Sequence, residues 1–125
     1  MEWIVLGDVH EAADVFEGIP GVAGADGLII SGDLTNRGGA DKAARVLAAA
    51  RRANPAVLAQ VGNMDEPGVT GFLESEGVNI HREARRLAPG LALMGVGWST
   101  PTPFGTPSET SEEDLAAWLS QAHAA

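Results

Sequence analysis

The chain lacks cysteine entirely and has few basic residues, with eight Lys and Arg against seventeen Asp and Glu. Because it has no thiolate ligands, soft metal sites such as copper(I) or iron–sulfur centres are disfavoured. The net charge of −9 argues against a polyanion such as duplex nucleic acid as the main partner. No apolar run is long enough to cross a bilayer, and the start Met1-Glu2-Trp3 does not resemble a signal peptide. These absences predict a cytoplasmic protein without a membrane partner.

The composition that is present is that of a globular protein. Hydrophobic residues make up 45% of the chain and charged residues 20%. Sixteen glycines and seven prolines occur without a repeat, so they indicate turns and not a flexible linker. The length and the lack of an internal boundary predict a single domain over residues 1–125.

Short apolar runs alternate with segments of helical spacing in the first half of the chain. The predicted strands are Trp3–Leu6, Leu28–Ile30 and Ala56–Val61, and the predicted helices cover residues 12–19, 40–52 and 67–76. This alternation predicts parallel strands with right-handed crossovers, and so an α/β fold.

The second half has a different pattern. A further strand is predicted at Val78–Ile80, a hairpin at Ala84–Ala88 and Leu91–Val96, a proline-rich loop over residues 97–107, and a helix at Ser111–Ala122. We expect Thr110 and Glu113 to form a capping box for this last helix and Trp118 to lie in the core.

Each predicted parallel strand ends in glycine followed by a side chain that can bind a metal. The three sequences are Gly7-Asp8-Val9-His10, Gly32-Asp33 and Gly62-Asn63-Met64-Asp65. Because parallel strands present their carboxyl ends at one edge, we expect Asp8, His10, Asp33 and Asn63 to face one crevice. Oxygen and imidazole ligands suit manganese, iron or zinc. The competing interpretation is that each acid simply caps a helix or ends a strand.

In order and spacing, these motifs resemble the amino-terminal half of the calcineurin-like metallophosphoesterases. The loop over residues 97–107 is also similar to a segment of small prokaryotic members. The resemblance implies the parallel-to-mixed sheet of the metallophosphoesterase fold, truncated relative to the full αββα sandwich. The family's later histidine motifs, which include Gly-His-x-His, do not occur in this sequence.

The resemblance also implies residue roles and up to two divalent metal ions. Asp8 and His10 correspond to ligands of the first ion, Asp33 to a bridging carboxylate, and Asn63 to a ligand of the second ion that also faces the substrate phosphate. Asn63 and Asp65 fall at catalytic positions of the family. Met64 stands where the family usually has histidine, and loss of a general acid costs about 10²–10⁴ in rate. Without that histidine to orient, Asp65 is expected to cap the following helix.

The predicted function is a metal-dependent phosphoesterase that hydrolyses a phosphate mono- or diester by a metal-bound hydroxide. Its partner would be a phosphate-containing small molecule. The alternative is a degenerate or incomplete phosphoesterase domain that binds metal, nucleotide or a partner without catalysis. A third hypothesis is a fragment that needs a complementary half. Because apolar strand surface would then be exposed, we expect self-association, as a homodimer.

Several residues allow more than one interpretation. His81 is interpreted as a surface or strand-end histidine in preference to a ligand, and His123 as solvated. Trp98 and Phe104 fit a substrate lid and a core plug equally well. The arginines of residues 82–86 are expected to form a solvated face of the hairpin in preference to a phosphate site.

Overall fold

A computed structural model describes residues 1–124 as a mixed α/β fold. The strands are β1 (Trp3–Leu6), β2 (Gly27–Ile30), β3 (Val57–Ala59), β4 (Glu83–Ala88) and β5 (Leu91–Gly95), and the helices are a 3₁₀ helix (Ala13–Gly18), α1 (Ala40–Ala53), α2 (Gly68–Ser75) and α3 (Glu112–Ala124). Over the described part of the chain, no helix combines the length and apolar character needed to span a membrane.

The first three strands form one parallel sheet in the order β1-β2-β3, which confirms the α/β prediction. The register pairs Leu6 with Ile30 and Ile30 with Ala59, so the three carboxyl ends lie at the same edge. Every residue of the central strand β2 is buried, as its continuous apolar sequence predicts. The sheet therefore delivers the three glycine-containing loops to one place.

Helix α1 supplies much of the core beside the sheet. Its buried face consists of Ala43, Val46, Leu47, Ala49, Ala50 and Ala53. Alanine has the highest helix propensity, and its small side chain lets the backbone of α1 approach neighbouring elements closely. At its carboxyl end, the Arg51 guanidinium donates to Glu76 Oε1 at 2.6 Å and to the Glu76 carbonyl oxygen at 3.1 Å. This ion pair ties α1 to the end of α2.

The hairpin of the second half forms as predicted. Strands β4 and β5 pair antiparallel, from Glu83 opposite Gly95 to Ala88 opposite Leu91, with a bulge near Arg86. The turn uses Gly90 at φ 78°, a conformation that favours glycine. The predicted strand at Val78–Ile80 is reduced to a single parallel bridge from Asn79 to β3.

Three local expectations are corrected. Residues 13–18 form a 3₁₀ helix, whose three residues per turn bury Phe16 and leave Val15 exposed. The cap of α3 is Ser111, whose hydroxyl accepts from the backbone N–H of Asp114 at 3.1 Å, so the predicted capping box is wrong by one residue. Trp118 is only half-buried, since its ring borders an open cavity and not the core.

Candidate metal centre

Asp8, His10 and Asp33 lie together at the carboxyl edge of the parallel sheet. Each offers one ligand atom, and these atoms lie within 4.8 Å of one another. His10 Nε2 is 3.6 Å from Asp8 Oδ1 and 4.0 Å from Asp33 Oδ2. Two carboxylates and an imidazole at this spacing form a donor set that suits a divalent cation.

All three residues have left-handed backbone conformations. Their φ angles are 54° for Asp8, 46° for His10 and 54° for Asp33. Such angles are uncommon outside glycine and cluster at functional sites. Hydrogen bonds between the loops hold them in place, with His10 N–H donating to the Asp33 carbonyl oxygen at 2.9 Å and Asp8 N–H to that of Gly32 at 3.3 Å. The first two loops therefore form one connected unit.

The imidazole of His10 is oriented by a backbone contact. Its Nδ1 lies 3.3 Å from the carbonyl oxygen of Thr35, so Nδ1 carries the proton. The other nitrogen, Nε2, faces the two carboxylates and is the one placed to bind a metal. A backbone acceptor on one ring nitrogen is the usual way that a metal-binding histidine is held in the correct tautomer.

The Asp33 carboxylate is the least exposed of the three ligand groups. Burial raises its pKa, as do the neighbouring Asp8 and Asp65 carboxylates, while the backbone N–H of Met64, 2.9 Å from Asp33 Oδ1, acts in the opposite direction. A divalent cation would relieve this crowding of negative charge. The electrostatics of the site therefore suit a divalent cation.

The glycines of the second and third loops allow the loops to approach. A Cβ on Gly62 would overlap both the carboxylate and the backbone nitrogen of Asp33. Gly32 has φ 130°, and a Cβ there would lie 2.9 Å from the Cα of Gly62. Close backbone approach, and not only a tight turn, is why glycine precedes the ligand at these positions.

Asp65 joins the second and third loops from below the site. Its buried carboxylate accepts from the backbone N–H groups of Leu34 at 3.2 Å, Thr35 at 2.8 Å and Gly62 at 3.0 Å. The Thr35 hydroxyl donates to it at 2.7 Å. The expectation that Asp65 caps the next helix is wrong, because Pro67 occupies the N-cap of α2. The Asp65 carboxylate therefore holds the second and third loops together, and its predicted catalytic role stays a prediction.

Asn63 lines a crevice of about 200 Å³ together with Asp8 and Asp33. Its amide nitrogen donates to the hydroxyl of Thr106 at 3.2 Å, and its backbone carbonyl accepts from the N–H of Ser108 at 3.0 Å. The side-chain carbonyl oxygen, Oδ1, makes no hydrogen bond within residues 1–124. The predicted ligand atom of Asn63 is thus available at the wall of the crevice.

Sequence reasoning missed the residues that fix the proline-rich loop beside the crevice. The Arg37 guanidinium donates to the carbonyl of Phe104 at 3.1 Å and to that of the next residue at 3.2 Å. Glu109 accepts from the hydroxyls of Thr102 and Thr106, and these bonds lower its pKa to about 2. The Phe104 side chain is 77% exposed, so it is not a core plug.

The histidines outside the cluster differ from each other. His81 is buried, which contradicts its interpretation as a surface residue: its Nδ1 accepts from the backbone N–H of Gly97 at 2.9 Å. Burial lowers the pKa of His81 to about 4, and the charge of Arg82 acts in the same direction. His123 is exposed, as expected.

Fold and site together define an α/β protein with a carboxylate–imidazole cluster at the carboxyl edge of a parallel sheet. The chain is similar to the uncharacterized protein MJ1162 of Methanocaldococcus jannaschii, with 34% identity over 91 residues, which cover 73% of this chain and 41% of the archaeal protein. It thus spans less than half the length of that relative. No family model matches the chain, and no solved structure matches it.

Proposed function

We propose that the chain is a metal-dependent phosphoesterase domain with the metallophosphoesterase fold. The observation that carries the proposal is the Asp8–His10–Asp33 cluster, whose members occur in the order and strand-end positions of that family. Left-handed backbone at all three residues supports a functional origin, since ordinary strand ends do not need it.

Asp8, His10 and Asp33 would hold the cation, with Asn63 Oδ1 as a further ligand from the third loop. A bound divalent cation supplies Lewis-acid activation of water and neutralises phosphoryl oxygens. The centre suits manganese, iron or zinc, because its donors are oxygen and imidazole nitrogen. With two ions, as in the resembled family, Asp33 would be the shared ligand.

Asn63 and Met64 of the third loop determine which phosphate esters the proposed site could hydrolyse. The Asn63 side-chain amide can donate a hydrogen bond to a phosphoryl oxygen if it gives up its hydrogen bond to the Thr106 hydroxyl. Met64 uses its backbone N–H on Asp33, and its thioether cannot protonate a leaving group. The proposed substrates are therefore phosphate esters whose leaving groups need no general acid.

Hydrolysis of p-nitrophenyl phosphate with and without manganese tests this proposal. We expect manganese to stimulate the parent chain and Asp33→Asn to abolish the stimulation. Asp14→Asn is the matched control, because Asp14 is exposed on the 3₁₀ helix. No stimulation by manganese, iron or zinc, or equal rates for Asp33→Asn and parent, would overturn the assignment.

A second candidate function is metal or nucleotide binding without turnover. The side chain of Asp8 is 81% exposed, so the crevice is open on the side of the first loop. An open, under-coordinated site without a general acid fits binding better than efficient catalysis. Calorimetric titration that shows manganese binding by the parent, together with no hydrolysis, would select this function.

We also propose self-association. Val5 of β1 is 61% exposed, and Leu91, Met94 and Leu119 expose 47%, 39% and 50% of their surfaces. Apolar side chains on a strand at the edge of the sheet favour pairing with another chain. Light scattering at high concentration should give a dimer mass, and a strictly monomeric mass would contradict the proposal.

A further inference from the structure

A second cavity, of about 450 Å³, lies between α2, α3 and the start of the hairpin. The residues that matter for its chemistry are Thr70, Glu74, His81, Arg82, Trp98 and Trp118. It has a different lining from the metal crevice, with Trp98 as a wall of both. Its volume is in the range of pockets that bind small organic molecules.

Aromatic rings form the apolar part of the cavity. The ring of Trp118 meets Trp98 edge-on at a centroid distance of 5.5 Å and His81 edge-on at 5.2 Å. The Arg82 guanidinium lies 5.0 Å from the centroid of Trp118 and is anchored by a 2.7 Å hydrogen bond to Gln121. Perpendicular rings in edge-to-face contact fix one another, so Trp98 and Trp118 form a rigid aromatic corner against which a flat ligand can stack on one side.

Two polar groups at the cavity make no hydrogen bond within the described part of the chain, and one of them is a fully buried atom. The Thr70 hydroxyl is fully buried and makes no hydrogen bond. His81 is 6% exposed, and its Nδ1 already accepts from Gly97, so the proton is on Nε2 and makes no bond to the protein. A buried hydroxyl such as that of Thr70 is normally satisfied, so this exception needs an explanation.

The backbone gives an independent sign of function at the same place. Arg82 and Trp98 adopt φ angles of 62° and 66°. For bulky residues such angles are outliers, and they recur at ligand sites. Both residues line the cavity, so the strain is concentrated where the unpartnered donors are.

We propose that this cavity binds a planar nitrogen heterocycle of nucleobase size. The ligand lies with one face against one indole of the perpendicular Trp98–Trp118 pair and with its edge towards the other, and a ring nitrogen or carbonyl oxygen accepts from His81 Nε2–H. Thr70 and the exposed Glu74 carboxylate accept from an exocyclic amine. This inference does not depend on the proposed phosphoesterase function, because no metal ligand takes part.

Tryptophan fluorescence of the full chain tests the proposal, with Trp3→Phe as the parent because Trp3 lies elsewhere. Adenosine is the probe and ribose is the control ligand. We expect saturable quenching by adenosine and none by ribose. Absence of a saturable signal, or an equal response to ribose, would overturn the proposal.

Thr70→Val separates binding from folding. It removes an unpartnered hydroxyl and keeps the shape, so the unfolding temperature should stay the same or rise. Adenosine affinity should fall about tenfold, the effect of one buried hydrogen bond. Glu74→Gln, at an exposed position that does not endanger folding, should also weaken binding of adenosine. Binding unchanged in both variants would show non-specific stacking and refute the site.

Discussion

Replacement of Asp65 by asparagine is the sharpest test of how the candidate metal centre is built. One carboxylate oxygen accepts from Thr35 twice, and the other accepts from the backbone N–H groups of Leu34 and Gly62. An amide can keep only one of these oxygens, and it places an NH₂ group against two N–H donors. Leaving two such donors unpaired costs about 1–3 kcal/mol each, so we expect Asp65→Asn to lose about 3 kcal/mol of folding free energy.

Urea unfolding followed by circular dichroism measures this loss. The midpoint should fall while the slope stays the same, because the surface exposed on unfolding does not change. The matched control Asp14→Asn, at an exposed position, should stay within about 0.5 kcal/mol of the parent. A residue that orients ligands from outside typically changes metal affinity by about 10–100-fold, so calorimetry should show weaker manganese binding. A loss below about 1 kcal/mol with unchanged manganese affinity would refute the positioning role.

Three further predictions follow from single contacts. Gly62→Ala should destabilise by about 1–3 kcal/mol because its Cβ overlaps Asp33, whereas Gly71→Ala, in open space on α2, should stabilise by about 0.5–1 kcal/mol in the same urea assay. Burial lowers the pKa of His81 from 6.5 to about 4, so the stability contributed by the neutral imidazole is full above pH 6.5 and is lost as pH falls towards 4. The unfolding free energy of the parent, measured with urea, should therefore fall by about 2–3 kcal/mol more over this pH range than that of His81→Gln. Arg37→Ala should speed amide hydrogen exchange at residues 104–106 with little change in global stability, and unchanged exchange would contradict its clamping role.

Local pattern was sufficient to predict the parallel sheet and the gathering of the strand-end residues. The run before Gly7 and the run before Gly32 are short, apolar and separated by a helical segment, which leaves few arrangements other than parallel strands. Once strands are parallel, their carboxyl ends meet, so Asp8, His10 and Asp33 lie close together without any further information. The hairpin around Gly90 was equally local, because its turn and two flanking runs are adjacent in sequence.

The contacts that fix the site were not predictable in this way. Asp65 bonds to backbone groups about thirty residues away, and no periodicity marks a carboxylate that two loops enclose. His81 was interpreted as a surface or strand-end residue because its hydrogen-bond donor, the N–H of Gly97, lies sixteen residues later in the sequence. The Arg37 contact with the proline-rich loop crosses sixty-seven residues of sequence. Such pairs become visible only when the tertiary fold brings the loops together.

The metal centre and the proline-rich loop share one set of restraints. Asp33 is held through the Met64 N–H, the Asp65 carboxylate holds the backbone that follows Asp33 and that of Gly62, and the Ser108 hydroxyl donates to the Asp65 carbonyl oxygen. The carbonyl of Asn63 accepts from the Ser108 N–H, so the third loop is fixed from the side of α3 as well. These hydrogen bonds help to hold the candidate ligand residues in left-handed backbone conformations that are otherwise unfavourable. The protein therefore sets the geometry of the candidate ligands in advance, and a cation that bound there would meet donors that are already in place.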